Sequence, residues 1–265
     1  GDEGGIGYLD FVRREVFAPL GLAHVPAEEY GSDRRPCTAP NEREADFALF
    51  WDFASLYQMP RTEDETGYFR AGLKASNVWY GHRHSVTWIQ PSLPEGLAVN
   101  TYEESGWCFV EASISSVLKA FDRRVNISKY HPGRDGSSYL WTLSNNGCLA
   151  GSRSAPLAPD RVASLLAREK KFYASSDVEV VAGLYKTFFD AVVPAQRELV
   201  LCKLGWGDDD VAQLAEVLPC FRQLVSLDLS QNEIRSAGAK VLVAAVGVMP
   251  SLTSVRASPE LQPTG

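Results

Sequence analysis

The C-terminal part of the chain repeats itself at a fixed interval. The segment LVSLDLSQNEIRSAGAKVLVAAVGVMPS begins at Leu224, and its opening motif returns 28 residues later as LTSV, starting at Leu252. The same interval counted backwards aligns Leu227 with Leu199. A unit of this length cannot bury its apolar face alone, so a regular repeat of this kind predicts stacked units that share one core.

The repeated segment resembles leucine-rich repeats of the long, ribonuclease-inhibitor-like type, in which each unit gives a short strand, an asparagine turn and a helix. Asn232 occupies the asparagine position. The earlier unit departs from the pattern, with Leu204 in place of asparagine and Asp210 where the later unit has Gly238. We therefore predict a short array over 196–265 whose first unit caps it against the rest of the chain.

The N-terminal part alternates apolar runs with helical patterns. A continuous apolar run at Phe47–Trp51 predicts a strand covered on both faces, and SVTWI at 85–89 predicts a second. Strands that alternate with helices indicate a parallel sheet whose ligand crevice lies at the carboxyl ends of its strands. We expect Phe47–Trp51 and Val86–Ile89 to be neighbouring parallel strands, with Asp52 at the carboxyl edge.

Helical spacing is clearest in four segments. The first helix should carry Glu63, Asp64 and Glu65 in its first turn and bury Phe69, Leu73 and 76–78. The second follows TYEESGWCFVEASIS (101–115) and should bury Trp107, Val110, Ile114, Val117, Leu118 and Phe121. Two more begin at Pro159 and at Ser176, where Glu179 completes a capping-box pattern. A further strand is expected at 137–144 and a linker at 145–159.

These patterns predict an α/β fold in three parts: a parallel sheet flanked by helices over 1–145, a linker and helical connector over 146–195, and the short array over 196–265. In chain order, a strand ending in Asp52, a helix, a strand and a Y-x-x-S-x-W-C-x-x-E run resemble the Toll/interleukin-1 receptor (TIR) domain. A looser resemblance to heterokaryon-incompatibility domains lies in Asp52, Ser55 and Gln58. The likeness covers roughly 45–120, and no counterpart of the family's first strand precedes Tyr8. The motif residues are Tyr102, Ser105, Trp107, Cys108 and Glu111.

The TIR resemblance implies cleavage of NAD by the glutamate that Glu111 matches. A nearby carboxylate would stabilise the ribosyl oxocarbenium ion that develops as nicotinamide leaves. The alternative is structural, with Glu111 accepting hydrogen bonds from loop amides or pairing with an arginine such as Arg83. The ligand-binding residues expected beside it are Asp52 and Ser55 at the strand end, and Phe53, Tyr57 and Trp107, whose rings suit a cationic heterocycle.

Composition narrows the classes of function. A formal net charge of −7, with basic residues scattered along the chain, argues against a nucleic-acid partner. Five cysteines without a C-x-x-C pair indicate reduced thiols in an intracellular protein, and His82 and His84 lack a third ligand nearby, so no metal or other cofactor is expected. No apolar run is long enough to span a bilayer. A start at Gly1 suggests a lost leader or upstream segment.

Two functions follow from the sequence. The first is a protein-interaction or scaffold module, such as an accessory subunit of a larger assembly with protein partners. The second is an NAD-cleaving, TIR-like enzyme that uses Glu111 and takes NAD only as a substrate. Whether Glu111 faces an open pocket or a packed interior separates the two.

Overall fold

The computed structural model describes residues 50, 55–83, 85–91, 101–131, 139–149 and 153–257. The predicted strand Phe47–Trp51 and its expected pairing with Val86–Ile89 therefore lie outside the described residues. Of that strand only Phe50 is described, and it belongs to no helix or strand. Asp52 and Phe53 also lie outside them. Within the described ranges, no helix combines the length and the apolar character needed to cross a membrane.

The first part of the described chain contains a β-α-β unit. Strands β1 and β2 pair in parallel, with Thr87 opposite Arg124, and a helix lies between them in the sequence. The predicted strand at 85–89 is thus confirmed, whereas β2 was not predicted. The elements are α1 (Glu63–Gly81), β1 (Thr87–Ile89), α2 (Gly106–Leu118), β2 (Arg124–Asn126) and α3 (Tyr139–Asn145).

Helix α1 begins with a reciprocal cap. The Glu65 amide donates to Thr62 Oγ1 at 3.2 Å, and the Thr62 amide donates to Glu65 Oε2 at 2.8 Å. Its buried face is more polar than predicted, because Ser76 and Asn77 are buried whereas Val78 is 61% exposed. Asn77 Nδ2 donates to the Leu184 carbonyl at 2.9 Å, so a side-chain amide fixes this helix against its neighbour.

The strand predicted at 137–144 is wrong, because residues 139–145 form helix α3. Thr142 and Leu143 are adjacent and both buried, and Asn146 is buried one helical turn after Thr142. A strand would send adjacent side chains to opposite faces. The apolar and aromatic composition of this short segment suited either structure, and burial of one helical face decided between them.

The two connector helices are confirmed as α4 (Pro159–Arg168) and α5 (Asp177–Val192). The capping box predicted at Ser176 is wrong, because Ser176 has helical backbone angles and its side chain caps no amide. The next residue has a different role, since Asp177 Oδ2 accepts a hydrogen bond from Trp107 Nε1 at 3.1 Å. This bond joins the start of α5 to α2.

The C-terminal part is a three-stranded parallel sheet with a helix after each of its first two strands. Leu199 lies opposite Leu227, which lies opposite Val255, so the strands keep the 28-residue interval. The predicted parallel pairing of Leu199 and Leu227 is confirmed, and both side chains are buried. The elements are β3 (Glu198–Val200), α6 (Asp208–Val217), β4 (Ser226–Leu229), α7 (Ser236–Val246) and β5 (Ser254–Ala257).

Asn232 joins the two units through four hydrogen bonds. Its Oδ1 accepts from the amides of Leu204 at 2.9 Å and Trp206 at 3.2 Å. Its Nδ2 donates to the carbonyls of Leu201 at 2.7 Å and Leu229 at 2.9 Å. The buried side chain thus forms hydrogen bonds with both oxygen lone pairs and both N–H groups. Its partners are two backbone amides and two backbone carbonyls in a buried turn.

The two turns after β3 and β4 also match. Lys203 and Gln231, 28 residues apart, both adopt positive φ, at 60° and 57°. A hydrogen bond also joins the two helices. Asp208 Oδ1, at the start of α6, accepts from the Arg235 amide at the start of α7, at 2.8 Å. A Cβ atom at Gly238 would lie 2.5 Å from Asp208 Oδ1, so a larger residue here would displace the carboxylate that accepts from the Arg235 amide.

We predict that Asn232→Leu lowers the free energy of unfolding by about 3 kcal/mol or more. The variant has leucine at this position of the second unit, as the first unit has at Leu204. Two amides and two carbonyls would lose their partner in a buried turn, and each such group costs about 1–3 kcal/mol. Denaturant unfolding measures the change. Gln231→Asn is the control, because asparagine tolerates positive φ. A loss below about 1 kcal/mol for Asn232→Leu would contradict the prediction.

Candidate functional site

Four polar side chains interact along the first part of α2 and the strand that follows it. Tyr102 lies in a 3₁₀ turn before the helix, Cys108 and Glu111 lie one turn apart on it, and Arg124 begins β2. The Tyr102 hydroxyl interacts electrostatically with each of the other three groups. The structure thus brings together three of the motif residues and adds Arg124, which the sequence did not single out. We call these four residues the polar cluster.

The expected partner Arg83 lies elsewhere, because its guanidinium donates to Gln196 Oε1 at 2.8 Å. Arg124 is the arginine of the polar cluster. One of its terminal nitrogens donates to Ser116 Oγ at 2.8 Å, so the second half of α2 helps to orient it. A guanidinium at the first residue of β2 was hard to foresee, because neither β2 nor its pairing was evident in the sequence.

Burial sets the protonation states in the polar cluster. Burial raises the pKa of Tyr102 well above its usual range, Cys108 and Glu111 raise it further, and Arg124 opposes them. Burial lowers the pKa of Arg124 to about 10, and Tyr102 counteracts this. At neutral pH the cluster therefore presents a neutral phenol and a charged guanidinium, both of which can donate hydrogen bonds, beside a half-buried carboxyl group.

The aromatic residues expected to stack on nicotinamide are held by different helices. The Tyr57 ring lies against Tyr68 of α1, with 6.1 Å between ring centroids, and Trp107 is bonded to Asp177 of α5. Ser55 is exposed. Each of these two rings thus contacts a different helix, and the third expected ring, Phe53, lies outside the described residues.

The opposite end of α2 holds a buried lysine. Lys119 Nζ donates to the His82 carbonyl at 2.8 Å, and to the carbonyl and hydroxyl oxygens of Ser85, each at 2.7 Å. Its side chain is fully buried. Burial lowers the pKa of Lys119 to about 7, and Arg123, Arg153 and Arg124 lower it further.

Arg153 lies beside this lysine and spans two parts of the molecule. Its guanidinium donates to the α2 carbonyls of Ser116 at 2.6 Å and Val117 at 2.8 Å, and to the carbonyl of Lys119. It also donates to the Val200 carbonyl of β3 at 3.2 Å. Burial lowers the pKa of Arg153 to about 9, so the guanidinium stays charged at neutral pH. The predicted linker contributes this residue to the interior.

Two surface grooves lie away from α2. The larger, about 380 Å³, runs between α4 and α6, and the smaller, about 320 Å³, lies at the start of α6. In the part of the chain that the structure describes, no group of three histidine, cysteine or acidic side chains is placed to hold a metal ion. The larger groove is lined by Leu157, Arg161, Asp209, Ala212, Gln213 and Glu216, and the smaller by Gly207, Asp208, Asp209, Asp210, Glu233 and Arg235.

Comparisons with known proteins leave the site to be interpreted from its geometry. No protein-family model, no curated protein and no solved structure matches the chain.

We predict that Lys119 makes the stability of the protein rise with pH between about 7 and 9. The folded-state pKa is below the unfolded value, so in this range the unfolded chain binds the extra proton, and raising the pH favours the folded state by up to about 1.4 kcal/mol per pH unit. Lys119→Met should reduce this slope, whereas Lys74→Met, at an exposed position of α1, should not. Denaturant unfolding at each pH measures the slope. Equal slopes for wild type and Lys119→Met would be evidence against the prediction.

We predict that Glu111 is structural. Glu111→Gln should lower the free energy of unfolding by about 1 kcal/mol, because the neutral amide loses its electrostatic interaction in the polar cluster. Neither wild type nor variant should release nicotinamide from NAD, as measured by chromatography of the reaction mixture. Glu169→Gln, at an exposed position, is the control. Steady nicotinamide release by wild type that disappears in Glu111→Ala would instead identify Glu111 as catalytic.

Proposed function

We propose that the chain is a protein-interaction module, an accessory or scaffold subunit of a larger assembly. The observation that carries this proposal is the parallel register of Leu199, Leu227 and Val255, which holds three strands at a constant 28-residue interval. Repeats stacked in this way form extended surfaces with a regular row of side chains from each strand. We assign 196–265 to a short leucine-rich array on this basis, together with the four bonds of Asn232.

The outward face of the sheet offers a surface for such a partner. Because alternate residues of a strand point to opposite faces, burial of Leu199 and Leu227 directs their neighbours outward. One row consists of Glu198, Ser226 and Ser254, and the next of Val200, Asp228 and Arg256. Each row extends about 10 Å across the sheet. The second row offers apolar, acidic and basic side chains in sequence, which suits recognition of a complementary protein surface.

We propose that the segment before the array is a TIR-like scaffold. The parallel pair β1 and β2, with α2 between them in the sequence, supports this reading. The NAD-cleaving alternative retains one supporting observation, the placement of Glu111 with Tyr102 and Arg124. We favour the scaffold because Glu111 lines neither of the two surface grooves described above.

The outward face can be tested with a matched pair of double variants. We predict that Glu198→Lys with Val200→Glu abolishes recovery of the proteins that co-purify with the wild-type chain, because it reverses one charge and adds another on β3. Val180→Glu with Asp190→Lys introduces the same charge changes at exposed positions of α5 and should leave recovery intact. Quantitative mass spectrometry of the co-purified proteins measures the effect, after thermal melts show that both variants fold. Equal recovery with both variants would refute the outward face as the interaction surface.

A further inference from the structure

The last strand of the array has an open edge. β5 pairs with β4 on one side, and among the residues that the structure describes no strand pairs with its other side. The inward row reflects this, because Leu199 and Leu227 are buried whereas Val255, in the same row, is 42% exposed. The row of core side chains therefore continues to the edge, where its last member is only partly covered.

The helix before β5 extends this surface. Gly238 of α7 faces Asp208 of α6, so that flank of α7 is covered. Val243 lies on a different side of the helix and is 68% exposed, whereas Val246 and Leu252 are partly buried against the core. Leu252 and Val255 follow at the edge of the sheet. We call Val243, Val246, Leu252 and Val255 the open end.

Charge indicates what kind of segment suits the open end. From 234 to 257 the chain has no aspartate or glutamate, although its formal net charge is −7. Of the basic residues in this range, Arg235 lines the groove at the start of α6, and Arg256 lies on β5 itself. A second copy would bring a surface of the same sign against this one. An acidic segment would meet Arg256 favourably, so charge complementarity favours a different protein as the partner.

The covered side of β5 provides a template for the added strand. There β4 places Leu227 opposite Val255 and Asp228 opposite Arg256, and its next leucine lies opposite Ala257. An extended segment on the other side would continue all three rows if it reads apolar, acidic, apolar. Its backbone would pair with the open edge, and its apolar side chains would cover Val255.

We propose that the open edge of β5 binds an extended segment of a partner protein, with the pattern apolar–acidic–apolar, as an added parallel strand. This inference rests on the proposed interaction function and names the class of partner segment. Backbone pairing would provide the affinity and Arg256 the preference for an acidic residue.

The test uses the full chain and a fluorescent peptide with the sequence LVSLDLSQ, which copies residues 224–231. Anisotropy titration should give saturable binding at or below millimolar concentration, and replacing the aspartate of the peptide with lysine should weaken binding roughly tenfold. Arg256→Glu should reverse this preference. Val255→Lys should abolish binding, because an inward-pointing charge blocks strand addition. Val241→Lys, at a residue 41% exposed, is the matched control and should bind normally.

Several outcomes would overturn the proposal: no saturable binding by wild type, equal binding of both peptides, or unchanged binding by Val255→Lys. Sedimentation that shows a dimer abolished by Val255→Lys, without peptide binding, would identify a second copy as the occupant. Binding only after removal of 258–265 would identify that segment as the occupant. The variant Glu198→Lys with Val200→Glu alters β3, two strands away, and should still bind the peptide, so the open-edge test and the outward-face test fail independently.

Discussion

The buried guanidinium of Arg153 joins helix α2 to the C-terminal sheet through hydrogen bonds. It binds three carbonyls at the carboxyl end of α2 and the Val200 carbonyl of β3, and its own carbonyl accepts from Trp206 Nε1 at 2.9 Å. In the described part of the chain it pairs with no carboxylate. The partial negative charge at the end of a helix and the hydrogen bonds to carbonyls offset the desolvation of the cation. These bonds add to the hydrophobic core that α2 shares with the C-terminal sheet, in which Ile114 and Val117 are clustered with Leu199.

The same end of α2 explains why Lys119 has an unusual protonation equilibrium. Lys119, Arg124 and Arg153 are all buried. Burial lowers the pKa of Lys119, and the two arginines lower it further; burial and Arg124 also lower the pKa of Arg153. An ammonium releases its proton more readily than a guanidinium. Lys119 is therefore the member of the group that can lose its charge near neutral pH, while both arginines stay charged. The carboxyl end of α2 therefore holds a pH-sensitive lysine, and Arg124 connects it to the rest of the polar cluster, which lies toward the beginning of the helix.

Parts of the candidate site were accessible from the sequence and parts were not. Tyr102, Cys108 and Glu111 could be placed together, because helical spacing and a preceding turn are local properties. Arg124 was missed because the pairing of β2 with β1 brings it to them. That pairing joins residues far apart in the chain, so no local sequence pattern predicts it. Arg153 was missed for a related reason. It lies in a segment rich in glycine and serine, a composition typical of an exposed linker. The carbonyl groups that accept its hydrogen bonds come from α2 and β3, which are brought together only in the folded structure.

The sequence by itself determined the 28-residue interval, the parallel register of Leu199 with Leu227 and the position of Asn232, because each repeats a local pattern of apolar spacing and turn chemistry. Tertiary structure alone decided that 139–145 is helical, since a short apolar and aromatic segment suits either structure until one face is buried. It also decided that Val255, the last residue of the row that begins with Leu199 and Leu227, is only partly buried. Burial is a property of neighbours in space, and those neighbours come from residues far apart in the chain.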